Sequence, residues 1–454
     1  MLVLMIAMMQ QWREVFAQRR TMARAISQAL VSLCLRGRHT IASAFVAQRP
    51  APDQDWSADY KLHARSEWEA QDLFKPVLRE ALKFCPDHLL PLAVDDTRVG
   101  KTGKKIASAF WGRDPLSPPF HLNLKYGIRY LHAALLLPLH AFGVGARALS
   151  VYFEEVTPLP KPGKQATEEQ LKEWRAAQKR QNLSTAAVAM IKRLRQTVDE
   201  LGGQTKTLVL ALDGSFCNRT IFGAAFERVI LLARARKDAR LCFGAEGGRR
   251  FYAQTSFTPE QVRRDERIEW RKGRIFHGGQ WRELFYKEVP KVLWRTGSGR
   301  RELRLLVVRA TPYRKTRAGK LLYRQPAYLL TTDSAESAES LLQIYFDRWQ
   351  IEVAHKELKQ ELGLGQAQVR VAASVRHQPA LTAATYSLLH LAALKKFGAR
   401  WVEQYGPLPK YRREKTRAST RDLINYFRSE VVHQEPPWPF EGEISYDCLR
   451  AAAA

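Results

Sequence analysis

Residues 207–214 read Thr-Leu-Val-Leu-Ala-Leu-Asp-Gly, a short apolar run closed by an acid and a glycine. Such a run reads as a strand, and the glycine marks where it turns. A second stretch has the same form: Leu89 to Val94 is apolar and ends in Asp95-Asp96-Thr97. In an α/β domain the carboxyl ends of the strands line the functional edge. Two further strand-like stretches lie near Leu122–Tyr130 and Ala133–Leu139, and a helix from about Thr185 to Leu201 precedes the 207–212 strand. The reading is therefore α/β.

Outward from these strands the pattern changes in both directions. Residues 1–86 read as helical, with Val15, Met22, Ile26, Leu30 and Leu33 at helical spacing. Within them Arg36-Gly37-Arg38-His39-Thr40 reads either as a helix-turn-helix corner or as a joint in a plain helical bundle. Asp53, Gln54 and Asp55 mark a turn. The opening MLVLMIAMM is apolar but nine residues long, and reads as a helix start or a mispredicted start codon rather than a membrane span or leader. Residues 87–244 hold the two acid-tipped strands and, at 158–182, an exposed Pro/Lys/Gln-rich linker that turns helical. Residues 245–333 read as a basic, strand-rich insertion carrying Val289, Val292, Leu303, Leu305, Val307 and Val308. Residues 334–398 begin with one long helix, about Ser334 to Leu362, capped by Asp333 or Ser334, and continue with an apolar helix, Pro379 to Phe397. Residues 399–454 form a basic C-terminal region with a helix near Thr420–Val431 and an alanine tail.

Charge narrows the function. Among 454 residues, 73 Lys and Arg face 45 Asp and Glu, a formal net charge of +28. Residues 249–333 alone hold 21 basic and 8 acidic side chains, a net of +13. That surplus suits a polyanion, because each phosphate neutralised releases counterions; a solvated sheet face is the plainer account. The five cysteines, Cys34, Cys85, Cys217, Cys242 and Cys448, are scattered with no C-x-x-C pair. Neither a zinc site nor a disulfide framework is indicated, and a reducing cytoplasm fits.

The chemistry-bearing candidates are carboxylates. Asp96 and Asp213 end the two strands, and the long helix adds Glu352. Acids brought together repel unless a divalent cation lies between them. Two Asp and one Glu form a hard-oxygen set suited to two Mg²⁺ ions in phosphodiester cleavage. Along the helix Tyr345, Arg348, Glu352 and Lys359 stand at offsets of 0, 3, 7 and 14, on one face of a continuous helix. A phenol, a guanidinium, a carboxylate and an ammonium in one stripe are unlike a core seam. A surface ion pair between Arg348 and Glu352 accounts for only half of it. His355 and Lys356 read as helix-surface residues. Arg98, Lys101, Lys104 and Lys105 follow the first acids and read equally as a phosphate grip or a solvated loop.

At this point the sequence resembles a known family. Tyr345-x2-Arg348-x3-Glu352-x6-Lys359 is similar to the Y-R-E-K signature of insertion-sequence DDE transposases, and so is its setting, YFDRWQIEVAHKELKQELGLGQAQVR (345–370). Val94-Asp95-Asp96-Thr97 resembles the first catalytic motif and Leu212-Asp213-Gly214 the second. The Asp-Thr pair aligns with Asp96, with Asp95 as the alternative. The resemblance covers about residues 88–395. It implies an RNase H-like catalytic core interrupted by the β-rich insertion, with a helical DNA-binding domain over 1–86 and a helical C-terminal region. It implies catalysis and metal binding by Asp96, Asp213 and Glu352, two Mg²⁺ ions for which Mn²⁺ substitutes, and DNA contacts from Tyr345, Arg348, Lys359, Lys104 and Lys105. It also implies terminal inverted repeats and target DNA as partners, a homodimer in the synaptic complex, cut-and-paste transposition, and a cytoplasmic, nucleoid-associated protein without a membrane. Relatives stack an aromatic from the insertion on a flipped base, for which Trp281 and Trp294, with Trp270 behind them, are candidates; packing in the core is the plainer role for each. A nuclease or resolvase on the same fold, or a catalytically silent DNA-binding descendant, remains the alternative.

Overall fold

The computed structural model describes residues 1–50, 55–114, 117–118, 120–247, 249–314, 319–408, 415–433 and 446–454. Five helices come first: α1 (Leu2–Met9), α2 (Arg19–Cys34), α3 (Ile41–Ala47), α4 (Ser57–Ala64) and α5 (Lys75–Leu82). They are followed by β1 (Leu89–Gly100), β2 (Phe110–Arg113), β3 (Leu124–Leu137) and β4 (Arg147–Glu155). Then come α6 (Glu168–Arg180), α7 (Leu183–Glu200), β5 (Thr207–Leu212), α8 (Arg219–Phe222) and β6 (Val229–Arg234). Helix α9 (Pro259–Arg264) leads into β7 (Arg271–His277), β8 (Gln280–Leu293), β9 (Glu302–Val308), β10 (Pro312–Arg314), β11 (Leu321–Tyr323) and β12 (Ala327–Thr331). Last are α10 (Ala338–Asp347), α11 (Trp349–Gln360), α12 (Ala372–Phe397), α13 (Thr420–His433) and α14 (Tyr446–Ala453). This is a mixed α/β chain, and no described helix is long and apolar enough to cross a membrane.

The chain forms two compact units. One comprises Asp87–Asp95 and Ser184–Gln350. Its strands run in the order β1-β5-β6-β12-β9-β8-β7. β1 pairs β5 in parallel from Leu89 with Thr207 to Val94 with Leu212, and β5 pairs β6 in parallel. From β6 onward, each pairing is antiparallel. The parallel strands are continuous apolar runs because both faces are covered; Leu208 to Leu212 are all fully buried. Helix α10 packs on β7, where Gln343 bridges the strand: Phe276 N donates to its Oε1 at 2.6 Å and its Nε2 donates to Phe276 O at 3.1 Å.

That helix departs from the expected one. Ser337 caps it, accepting from Ser340 N at 3.1 Å. Asp333 instead accepts from Glu336 N at 2.8 Å and pairs with Arg304 at 3.2 Å. The single long helix is two, α10 and α11, interrupted at Arg348, whose backbone stays in the right-handed helical region.

The other unit comprises Met1–Pro86, Asp96–Leu183 and Ile351–Ala454. Beside the second half of β1 lies β3, with Lys101 N donating to Tyr126 O at 3.1 Å. β3 is one strand where the sequence suggested two. Its opening residues pair with β2 and Tyr130–Leu137 pair with β4. Helix α12 is buried along most of its length, which is why its apolar residues show no single face. It begins at Ala372 rather than at Pro379. Proline leaves the carbonyl of residue i−4 without its helical donor; here that carbonyl, Val375 O, accepts instead from the Tyr130 hydroxyl at 3.0 Å. The apolar start forms α1, with Met1 N and Leu2 N donating to Glu430 at 2.7 and 2.8 Å. The C-terminal alanines are helical rather than a tail, and Ala453 is buried. Between α2 and α3 the Arg36–His39 corner is present, and Thr40 caps the seven-residue α3. Helix α6 buries no residue, as its charge pattern suggested. The turn expected at Asp53 and Gln54 lies outside the described residues.

In the first unit, Arg304 holds two nearly buried carboxylates, Glu288 and Asp333, each at 3.2 Å. Removing one partner of a buried ion network leaves charge uncompensated, at about 3–5 kcal/mol. Arg304→Met is expected to cost that much, read as a drop in urea midpoint and faster amide exchange in β8, β9 and β12. Unchanged exchange there would refute a structural role for the network.

Candidate active site

In the unit that holds β5, the strand ends where Asp213 turns its carboxylate back on the chain, accepting from Ser215 N at 2.6 Å. This local bond starts a short 3₁₀ turn and leaves Asp213 half-exposed at the carboxyl edge. Tyr345, near the end of α10, shares this neighbourhood. Burial pushes its phenol up, the Arg348 and Arg234 charges pull it down, and the Asp213 charge pushes it up again. The Arg348 guanidinium lies 5.9 Å from the Tyr345 ring centre. Thus one carboxylate, one protonated phenol and two guanidiniums gather at this edge. The parallel register adds Asp95. Val94 is level with Leu212, the last residue of β5, so Asp95 comes next along β1 and Asp213 comes next in the turn that follows β5.

In the unit that holds α11, Lys359 Nζ donates to Thr97 Oγ1 at 2.7 Å. Glu352 is half-buried two turns earlier on the same helix stripe. Under that helix, His355 is buried, not on the surface as expected. Its Nε2 lies 2.9 Å from His132 Nδ1, and His132 Nε2 lies 2.9 Å from Ser150 Oγ. Tyr130, His132 and Thr97 therefore mark the sheet face that meets α11 and α12. Asp96 and Arg98 alternate to the other face. The Asp96 charge acts there on Arg98 and Arg129, and Arg98 stacks at 4.3 Å over Phe110 while donating to Phe110 O at 2.9 Å. Lys101 is held by Gly365 O and Ala367 O, both at 2.8 Å. Lys104 and Lys105 are exposed, as is Lys356.

The tryptophans separate by environment. Trp281 is 46% exposed at the tip of the β7–β8 hairpin, with Arg274 5.0 Å from its ring. Trp294 is half-buried and meets Phe222 edge-on at 5.8 Å. Trp270 lies under Lys287, at 4.7 Å. Sequence reasoning missed Arg234, although it ends β6 as Asp213 follows β5, and strand-end logic reaches it. It also missed His132, which sits inside an apolar run and gives no signal.

Half-exposed carboxylates are the hard oxygen donors that Mg²⁺ takes, so the donor chemistry at Asp95, Asp96, Asp213 and Glu352 fits such an ion. Among the described residues, no group of three or more His, Cys, Asp or Glu side chains is placed to hold a metal. Residues 178–388 match the family model of the transposase DDE domain. The match takes in Asp213, Tyr345, Arg348, Glu352 and Lys359 and begins after Asp96. It supports a DDE transposase and a transposase-type nuclease function. No curated protein matches the chain.

The buried histidines give the site unit a pH response. Burial pushes His132 down to about 3; burial, then the His132 and Lys359 charges, hold His355 well below the usual range. The unfolded chain takes these protons near pH 6.5, whereas the folded chain does not. Stability is therefore full above that pH and falls below it, by about 1.4 kcal/mol per pH unit per histidine. Urea midpoints are expected to fall from pH 6.5 to 5, less steeply in His132→Leu/His355→Leu. Parallel slopes for the two proteins would rule the pair out as the source.

Proposed function

We propose that this chain is a cut-and-paste insertion-sequence transposase whose Y-R-E-K signature is Tyr345, Arg348, Glu352 and Lys359. One observation carries the reading. The signature residues reach the neighbourhoods of both strand-end motifs, Lys359 at Thr97 in one unit and Tyr345 and Arg348 at Asp213 in the other. Strand order supports an RNase H-like core: β4-β3-β1 in one unit and β1-β5-β6 in the other, with the strands of 245–333 entering after β6. The core then comprises 87–244 and 334–398, flanked by a DNA-binding 1–86 and a helical 399–454.

Asp213, Glu352 and an acid of the Asp95-Asp96 pair hold two Mg²⁺ ions, or Mn²⁺ in their place. Bound there, such ions would supply Lewis-acid chemistry for phosphodiester cleavage. The motif assigns Asp96 as the first ligand. Strand alternation speaks for Asp95, because Asp96 lies on the face of Arg98 and its charge acts on Arg98 and Arg129. Tyr345 stays protonated and donates a hydrogen bond to a terminal phosphate. Arg348 offers its planar fork, and Lys359, steadied by Thr97, a point charge. Lys104 and Lys105 add backbone contacts. For base stacking, exposure favours Trp281 over Trp294. The partners are terminal inverted repeats and target DNA, held by a homodimer in the bacterial cytoplasm at the nucleoid.

Labelled duplexes carrying the element's end, incubated with the chain and Mg²⁺, are expected to be cut and joined to a second duplex. Cutting without joining would mean a nuclease, and binding alone a silent descendant. Glu352→Ala is expected to lose cleavage while binding the same duplex within a few-fold of the parent. Asp95→Asn is expected to stop cleavage, and Asp96→Asn to slow it less; the opposite order would return the role to Asp96.

A further inference from the structure

Three segments of one unit line a cleft of about 570 Å³: Arg38 from the α2–α3 corner, residues 100–106 after β1, and residues 365–370 after α11. The segments are tied to one another. The Lys101 ammonium donates to Gly365 O and Ala367 O, Ala107 N donates to Arg370 O at 2.8 Å, and His39 N donates to Gln366 Oε1 at 2.7 Å. Gly365 has φ +98°, and a Cβ there would come within 2.2 Å of Val99, so the 365–370 wall closes on β1 only with glycine. Burial pushes Lys101 down to about 8, consistent with an ammonium that serves as a clasp.

The rim is different. Arg38, Lys104, Lys105 and Arg370 are exposed, and among the described residues none of them makes an ion pair. Among the described residues, no Asp, Glu or aromatic residue lines the cleft. Like charges gathered without counter-charges repel one another, and a polyanion relieves that repulsion. Without a ring to stack on, the contact is with phosphates rather than bases. Position agrees: Gly100 lies three residues past Thr97 and Gly365 six past Lys359, so both walls lead away from that hydrogen bond.

We propose that this cleft holds consecutive backbone phosphates of DNA without reading sequence, and that the Arg36–His39 corner serves this grip through Arg38. The proposal rests on the transposase reading and extends it to a binding surface. The test uses the full chain and a fourfold variant, R38Q/K104Q/K105Q/R370Q, all exposed positions whose loss leaves packing intact. Binding of two fluorescent duplexes, the element's end and an unrelated sequence, is followed from 50 to 200 mM salt (roughly the range in which counterion release dominates). Both duplexes are expected to weaken alike, and the slope of log K against log salt to fall by about 0.9 per contact, about 3.6 in all. An unchanged slope, or a loss confined to one sequence, overturns the proposal. Mg²⁺-dependent cleavage by the parent chain reports separately on the transposase reading. A parent that cuts, with a variant that binds unchanged, fails the cleft alone; a parent that never cuts, with a variant that loses slope, fails the reading alone.

Discussion

The parallel pairing of β1 with β5 is the constraint on which the site depends. Side chains alternate along a strand, so a slip of one residue would turn every one of them to the other face. Val94 beside Leu212 fixes the register, and both runs are buried too completely to slide. The acids follow directly. Asp95 comes next along β1 and Asp213 next after β5, while the Asp96 charge acts on Arg98 and Arg129.

The large positive surplus divides into two populations. Some arginines are structural: Arg195 donates to Gly203 O and Lys206 O and pairs with Asp199, closing the loop before β5. Arg428 donates to Leu33 O, and Arg304 holds two carboxylates. Their planar forks satisfy backbone carbonyls that a loop or helix end leaves open. Only the exposed, unpaired cations are left to act on a polyanion at long range. Net charge therefore identifies the class of partner, while the location of its contacts depends on which cations the fold has already engaged.

How much was legible in the sequence follows from where the deciding contacts lie. β5 was readable to the residue, because five buried apolar residues, Leu208 to Leu212, stand between a polar turn and Asp-Gly. β3 read as two strands because Tyr130 to Ala133 mixes polar and apolar side chains, and its continuity comes from pairing with β4 across the chain. Pro379 looked like a helix start because only Tyr130, 249 residues away, supplies the donor its carbonyl partner needs. His355 looked exposed because its partner His132 lies 223 residues away in sequence. The spacing of Glu352 and Lys359 was readable, being set within one helix. The cations around Asp96 were not, because Arg129 is brought there by β3 and Arg98 is held over the ring of Phe110.

The interruption at Arg348 changes what the signature spacing means. Offsets of 0, 3, 7 and 14 define one stripe only on an unbroken helix. Here Tyr345 belongs to α10 and Glu352 and Lys359 to α11. The chain also passes from unit to unit between Asp95 and Asp96 and again between Gln350 and Ile351. Both crossings fall inside the motifs. One unit contains Asp95, Asp213, Tyr345 and Arg348; the other contains Asp96, Glu352 and Lys359. Neither has the full set of proposed groups.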